Sequence, residues 1–168
     1  MSGAPLLTIR MKKGTDGRTT LSCTRPDGTT TWQRQEGGQA AFFPRHDLTH
    51  YAVESTLGHQ RGFYGLVASG WDLSDFGTPW PRGKLPLEGN LTEMIVGFFD
   101  RERSSGVIGA AADLNDLIAL YCRETGVPNP GTLEDSDLWA VRQERGELFS
   151  KWDAIQPGEV LELVFETA

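Results

Sequence analysis

Cysteine is scarce. Only Cys23 and Cys122 occur, far apart and outside any C-x-x-C or Cys/His spacing, so zinc-finger and thiol-redox motifs are excluded. Long apolar runs are missing too. No stretch approaches the ~20 residues of a membrane span. The first residues, "MSGAPLLTIRMKKG", lack the charged-then-apolar layout of a secretory signal. Positive charge is in deficit, with 16 Lys and Arg against 23 Asp and Glu and a formal net charge of −7. That argues against nucleic-acid and anionic-membrane partners, both of which need a basic surface. No phosphate-cradling G-x-G-x-x-G follows a strand, and no G-x-S-x-G elbow is present. The expectation is a cytoplasmic protein with reduced, buried thiols, for which a small-molecule ligand is the partner class left open.

What is present suffices for a packed core. Apolar residues make up 38% of the 168 positions, including five Trp and eight Phe, and this argues against disorder. The length suits a single domain over residues 1–168, with no repeats and no linker. Residues 5–13, 18–25 and 29–35 alternate apolar and polar side chains around the turn signals "GTDG" and "PDG", which reads as an antiparallel meander. Pro44 suits the first turn of a helix over 45–58. A shorter helical run follows at 61–69, then an irregular stretch over 70–89 rich in Gly, Pro and Trp. Asn90 and Glu93 have capping-box spacing and open a helix over 91–103. Helices over 110–125 and from Asp135 or Ser136 onward follow, and residues 159–167 close the chain as a strand. That last strand must pair with the meander. The fold class is therefore α+β: a small antiparallel sheet built from both ends of the chain, with about five helices packed on it.

All three histidines fall in "FFPRHDLTHYAVESTLGH", residues 42–59. At about 100° per residue, His50 lies about 40° from His46 on one helix face, shared with Val53 and Leu57. Glu54 and Asp47 flank that face on one side, about 80° and 100° round. The aliphatic neighbours turn this stripe inward, and buried imidazoles need polar partners, because an unsatisfied buried polar group costs about 1–3 kcal/mol. A divalent metal meets the need. The i, i+4 spacing brings two imidazoles to one point, as on H-E-x-x-H helices, and Glu54 can complete a His₂–carboxylate set. Zinc or non-haem iron accepts such a set, zinc being the first choice. Asp47 stands where a zincin helix carries its base and is the catalytic candidate. The structural alternative makes His46 and His50 hydrogen-bonded core residues, with Asp47 capping the first turn and Glu54 paired to Arg45 or Arg61. His59, beyond Gly58, reads as an exposed loop residue.

"PRHDLTHYAVE" followed by "GFYGLVASGWDL" resembles a bacterial protein family of unassigned activity that carries H-D-L-T-H-x-A-V-E and then G-F-x-G-L-x-A-x-G-W; the likeness covers residues 43–73. The shorter H-D-x-x-H is similar to the zinc motif of a ubiquinone-biosynthesis protein family. That resemblance implies His46, Asp47 and His50 as ligand candidates. In that family a glutamate follows about a dozen residues later, and the segment 58–66 has none at that place.

Outside this motif, Asp72 and Asp75 in "GWDLSDFG" read as ligands, as acceptors behind an imidazole, or as helix caps. Trp80 between two prolines, with Arg82 and Lys84 beside it, reads as an anion-recognising loop or as a rigid loop pinned by its indole. Two functions remain open. One is a metal-binding protein working as a small metal-dependent hydrolase through His46, His50 and Glu54, with the 70–89 segment covering the site. The other is a non-catalytic binding or interaction protein whose histidine cluster is structural. A closed, purely structural metal site is a variant of the second.

Overall fold

The computed structural model describes residues 5–167. The chain runs β1 (Leu6–Lys13), β2 (Thr19–Thr24), β3 (Thr30–Gln35), α1 (Gly38–Leu57), α2 (Phe63–Ser69), a 3₁₀ turn at Leu73–Asp75, α3 (Leu87–Ser105), α4 (Ala111–Thr125), α5 (Asp135–Ala154) and β4 (Val160–Glu166). The four strands form one antiparallel sheet in the order β3-β2-β1-β4, so the last strand closes on the first as the strand patterns require. Ile9 lies opposite Cys23 on one side and Leu163 on the other. Leu7, Ile9, Met11, Leu21, Cys23, Leu161 and Phe165 all turn their side chains to the buried face. Each large aliphatic side chain so buried contributes about 1.5–3 kcal/mol. Both cysteines are free and buried. No described helix is long and apolar enough to cross a membrane.

Two helix starts differ from the sequence reading. α1 begins at Gly38, with Pro44 inside it. Proline costs one i→i−4 bond and a steric adjustment in a helix interior. Here the turn before it is supplied by Gln39, Ala40 and Ala41, and its first bonds run Gln39 N–H to Glu36 and Ala40 N–H to Gly37. The extra turns set Phe42 and Phe43 against the His46 ring, at centroid distances of 5.2 and 5.9 Å. α3 begins at Leu87 with Pro86 at its N-cap, a turn earlier than the Asn90–Glu93 spacing suggests. Asn90 instead donates from Nδ2 to the Leu85 carbonyl, at 3.3 Å, and Glu93 is left free for another role.

The helices are tied together by a buried ion-pair network. Glu102 of α3 accepts two hydrogen bonds within 3.0 Å from Arg142 of α5, and one at 3.0 Å from Arg145. It also accepts the Gly109 N–H at 3.2 Å. Two arginines hold the irregular stretch after α2. Arg25 donates to the carbonyls of Val67 and Trp71 and to Asp72 Oδ1. Arg82 donates to Asp75 Oδ2 at 3.1 Å and to the Gly70 carbonyl at 2.9 Å.

Candidate metal centre

α1 and α3 pack antiparallel, because His50 faces Glu93 while His46, one turn earlier, faces Asp100, two turns later. His46 and His50 bring their rings to a centroid distance of 4.8 Å, edge to face. His46, His50 and Glu93 each offer one ligand atom, and these atoms lie within 4.8 Å of one another. His50 Nε2 and Glu93 Oε1 are 3.5 Å apart. A tetrahedral zinc with bonds of about 2.0–2.1 Å keeps its ligands about 3.3–3.4 Å apart. That pair is close to the spacing a tetrahedral ion needs. The group can hold a metal ion.

Each imidazole is backed by a carboxylate on its other nitrogen. His46 Nδ1 lies 2.6 Å from Asp100 Oδ2, and His50 Nδ1 lies 3.2 Å from Glu54 Oε2. Such contacts fix ring orientation and tautomer behind a metal. Glu54, read from the sequence as the third ligand, lies instead against His50 Nδ1, and the acid whose oxygen gathers with the two imidazoles is Glu93. The geometry of α1 explains this. Glu54 is fully buried, and its Oε1 accepts the Tyr64 N–H at 2.8 Å. Gly62 makes room for that contact, and Gly65 makes room for the Gln60 carbonyl in the turn before α2. A Cβ at Gly62 would lie 2.7 Å from Glu54 Oε1, and one at Gly65 would lie 2.0 Å from the Gln60 carbonyl oxygen.

Burial opposes charge on both His50 and Glu54. Two facing carboxylates, Glu54 and Glu93, nevertheless push His50 up to about 10. Burial also raises Glu54, against the pull of His50 and of the Tyr64 and Gly65 amides. His50 is therefore the protonated member of the metal-free pair at neutral pH, with a carboxylate facing each of its nitrogens. Burial likewise opposes ionisation of Glu93 and Asp100, but hydrogen bonds to His50 and His46 respectively outweigh it and hold both carboxyls below their ordinary values.

Asp47 turns toward the sheet, where its Oδ2 accepts from Gln35 Nε2 at 3.2 Å. Burial pushes its carboxyl up to about 6, against His46 and Gln35. Asp47 lines, with His46, His50 and Glu93, a cavity of about 420 Å³ whose apolar lining is Phe43, Phe63, Leu73, Phe76, Trp80 and Leu85. Four of those six come from the stretch between α2 and α3, so that stretch forms much of the cavity wall, while the Glu93 side chain keeps 43% of its surface exposed. Asp72 is engaged by Arg25, and its N–H is accepted by Asp75 at the start of the 3₁₀ turn, which is the capping role. His59 is half-buried rather than an exposed loop residue. The Thr92 hydroxyl donates to the Glu88 carbonyl at 2.8 Å, so it must accept from His59 Nδ1–H, at 2.7 Å.

The sequence reading missed Glu93 and Asp100. Their signal is a pair of acids seven apart, about two helical turns, and so on one face of α3. Nothing local pairs that face with the histidine stripe. Comparison with family models, curated proteins and solved structures finds no match for this chain.

Proposed function

We propose that this protein is a metal-dependent hydrolase in which His46, His50 and Glu93 hold one divalent ion, zinc by the character of the ligand set. One observation carries the reading: the two imidazoles converge with Glu93 while each has a carboxylate behind its Nδ1. Three protein ligands facing an open cavity is the pattern of working zinc sites, whereas structural sites fill four positions with protein. Zinc supplies a water acidic enough to ionise near neutral pH. Asp47 lines the same cavity without backing either imidazole, and it is the group assigned to take that water's proton.

Elemental analysis of protein purified without a histidine tag tests the reading. The expected result is about one zinc per chain, lost in His46→Ala, His50→Ala and Glu93→Gln with the circular dichroism spectrum preserved. A second reading rests on its own observation: both nitrogens of His50 already face carboxylates, so the network closes without an ion. In that case the protein is a non-catalytic binding protein. Absence of metal under every growth condition, with His50→Ala destabilising the fold, supports it over the hydrolase.

A further inference from the structure

We infer that the molecule taken at this site is uncharged and carries a broad flat apolar group, an aromatic ring above all, beside a metal-ligating carbonyl, and that Trp80 selects for it. The inference rests on the metal reading above and specifies what that site accepts.

The apolar lining starts at the ligands themselves. The Phe63 ring lies 5.2 Å from the His50 ring, and the Phe76 ring lies 4.7 Å beyond Phe63. Trp80 lines the same cavity yet is 40% exposed, which places it at the rim. Its backbone is left-handed, with φ of 55°. That conformation is unusual for a bulky residue and is kept only where the surroundings impose it. The surroundings are visible: Trp80 N–H bonds the Gly77 carbonyl, its own carbonyl accepts the Gly83 N–H, and Arg82 ties the loop to Asp75 and Gly70. The backbone that carries the indole is therefore fixed, and the partly exposed ring lines the cavity from its rim. A cavity of about 420 Å³ is within the range of small-molecule sites, about 300–1,000 Å³.

Charge excludes the anionic alternatives. Among the described residues, the cavity lining contains Asp47 and Glu93 and no Lys or Arg. Arg82, nearest in sequence to Trp80, is committed to Asp75, Arg103 reaches Asp100, and Lys84 is exposed outside the lining. One divalent ion against two carboxylates leaves no positive excess. Phosphoryl groups are held by arginine, lysine or further metal ions that neutralise their oxygens. The cavity offers none of these beyond the single ion, whereas aromatic contact adds about 0.5–1.5 kcal/mol per ring pair.

Cobalt(II)-loaded full-length protein provides the test, with visible absorbance as the readout. The probes are benzohydroxamic acid, acetohydroxamic acid and phenyl phosphate; the two hydroxamic acids arrive uncharged in neutral solution and release one proton as they chelate, whereas phenyl phosphate arrives already charged. Benzohydroxamic acid should bind about tenfold tighter than acetohydroxamic acid, the factor that ~1.4 kcal/mol of ring contact gives. Phenyl phosphate should leave the spectrum unchanged. Trp80→Ala should remove most of the tenfold difference while cobalt affinity and acetohydroxamic acid binding stay as they were, and Trp80→Phe should restore it. Equal binding of the two hydroxamic acids, preference for phenyl phosphate, or a Trp80→Ala variant that keeps the full difference overturns the inference while leaving the metal site standing. Failure of the wild-type protein to take up cobalt removes the metal reading and the inference together.

Discussion

Replacing Glu54 with glutamine separates a backing role from direct ligation. The change keeps shape and removes charge. In the native site one Glu54 oxygen accepts the Tyr64 N–H at 2.8 Å, and the other faces His50 Nδ1 at 3.2 Å. Both positions require acceptors, and glutamine supplies only one. The backbone cannot change tautomer, so the amide oxygen stays on Tyr64 and the amide nitrogen turns to His50. Nδ1 must then accept, which puts the imidazole proton on Nε2, the nitrogen that faces Glu93 at 3.5 Å. A metal there must displace that proton or force the wrong tautomer. Loss of such a backing contact typically costs 10–100-fold in metal affinity, about 1.4–2.7 kcal/mol. Competition against a chromogenic chelator measures the affinity, circular dichroism checks that the fold is kept, and urea denaturation of the metal-free protein measures the separate cost of breaking the buried His50 pair, about 3 kcal/mol. Direct ligation by Glu54 would abolish binding outright, as Glu93→Gln should. Unchanged affinity in Glu54→Gln would refute the argument that this carboxylate sets the state of His50.

The neighbouring glycines give a paired contrast. Gly62→Ala places a methyl 2.7 Å from the buried Glu54 carboxylate, which must turn from His50 to admit it, so metal affinity should fall about tenfold with a stability loss of about 1–3 kcal/mol. Gly65→Ala meets the Gln60 carbonyl at 2.0 Å, where only the backbone can move, and should cost about 3 kcal/mol or more in urea denaturation. Acid stability should follow Glu102. Burial opposes its charge, but Arg142, the Gly109 amide and Arg145 outweigh that and hold the carboxyl below its ordinary value. Its stabilisation is therefore present above the unfolded carboxyl range and is lost as pH falls through the lower folded value. Glu102→Gln should flatten this acid limb of a stability–pH curve, and Glu102→Ala should cost about 3 kcal/mol at neutral pH.

The sheet was legible because its signals are local. Alternation at Leu7, Ile9 and Met11, turn chemistry at residues 14–17 and 26–28, and an unpartnered last strand leave few arrangements. The observed order β3-β2-β1-β4 is the one those signals imply. Helix starts were less legible where a residue with two uses stood near the boundary. Pro44 is as acceptable in a first turn as it is costly inside a helix, and the longer helix comes with packing of Phe42 and Phe43 on His46 that local sequence does not show. Asn90 and Glu93 have the spacing of a cap, and the α3 start at Leu87 is set instead by Pro86, whose fixed φ ends the preceding loop.

The candidate site divides along the same line. What one helix can fix by itself, the shared face of His46 and His50 and the inward turn of Glu54, follows from helical period alone. Which carboxylate faces the imidazole Nε2 is a property of two helices. On α1 the next acid available is Glu54, four residues beyond His50, and that spacing brings it to Nδ1, at 3.2 Å. A carboxylate opposite must come from another element. Antiparallel packing makes the exchange reciprocal: the face of α3 that brings Glu93 to His50 brings Asp100, two turns later, to His46. One interhelical register therefore sets a ligand candidate and a backing group together. A shift of α3 by a single residue would rotate both carboxylates about 100° away and leave two imidazoles without the partners their burial demands. α3 is in turn tied to α5, because Glu102, two residues beyond Asp100, pairs with Arg142 and Arg145.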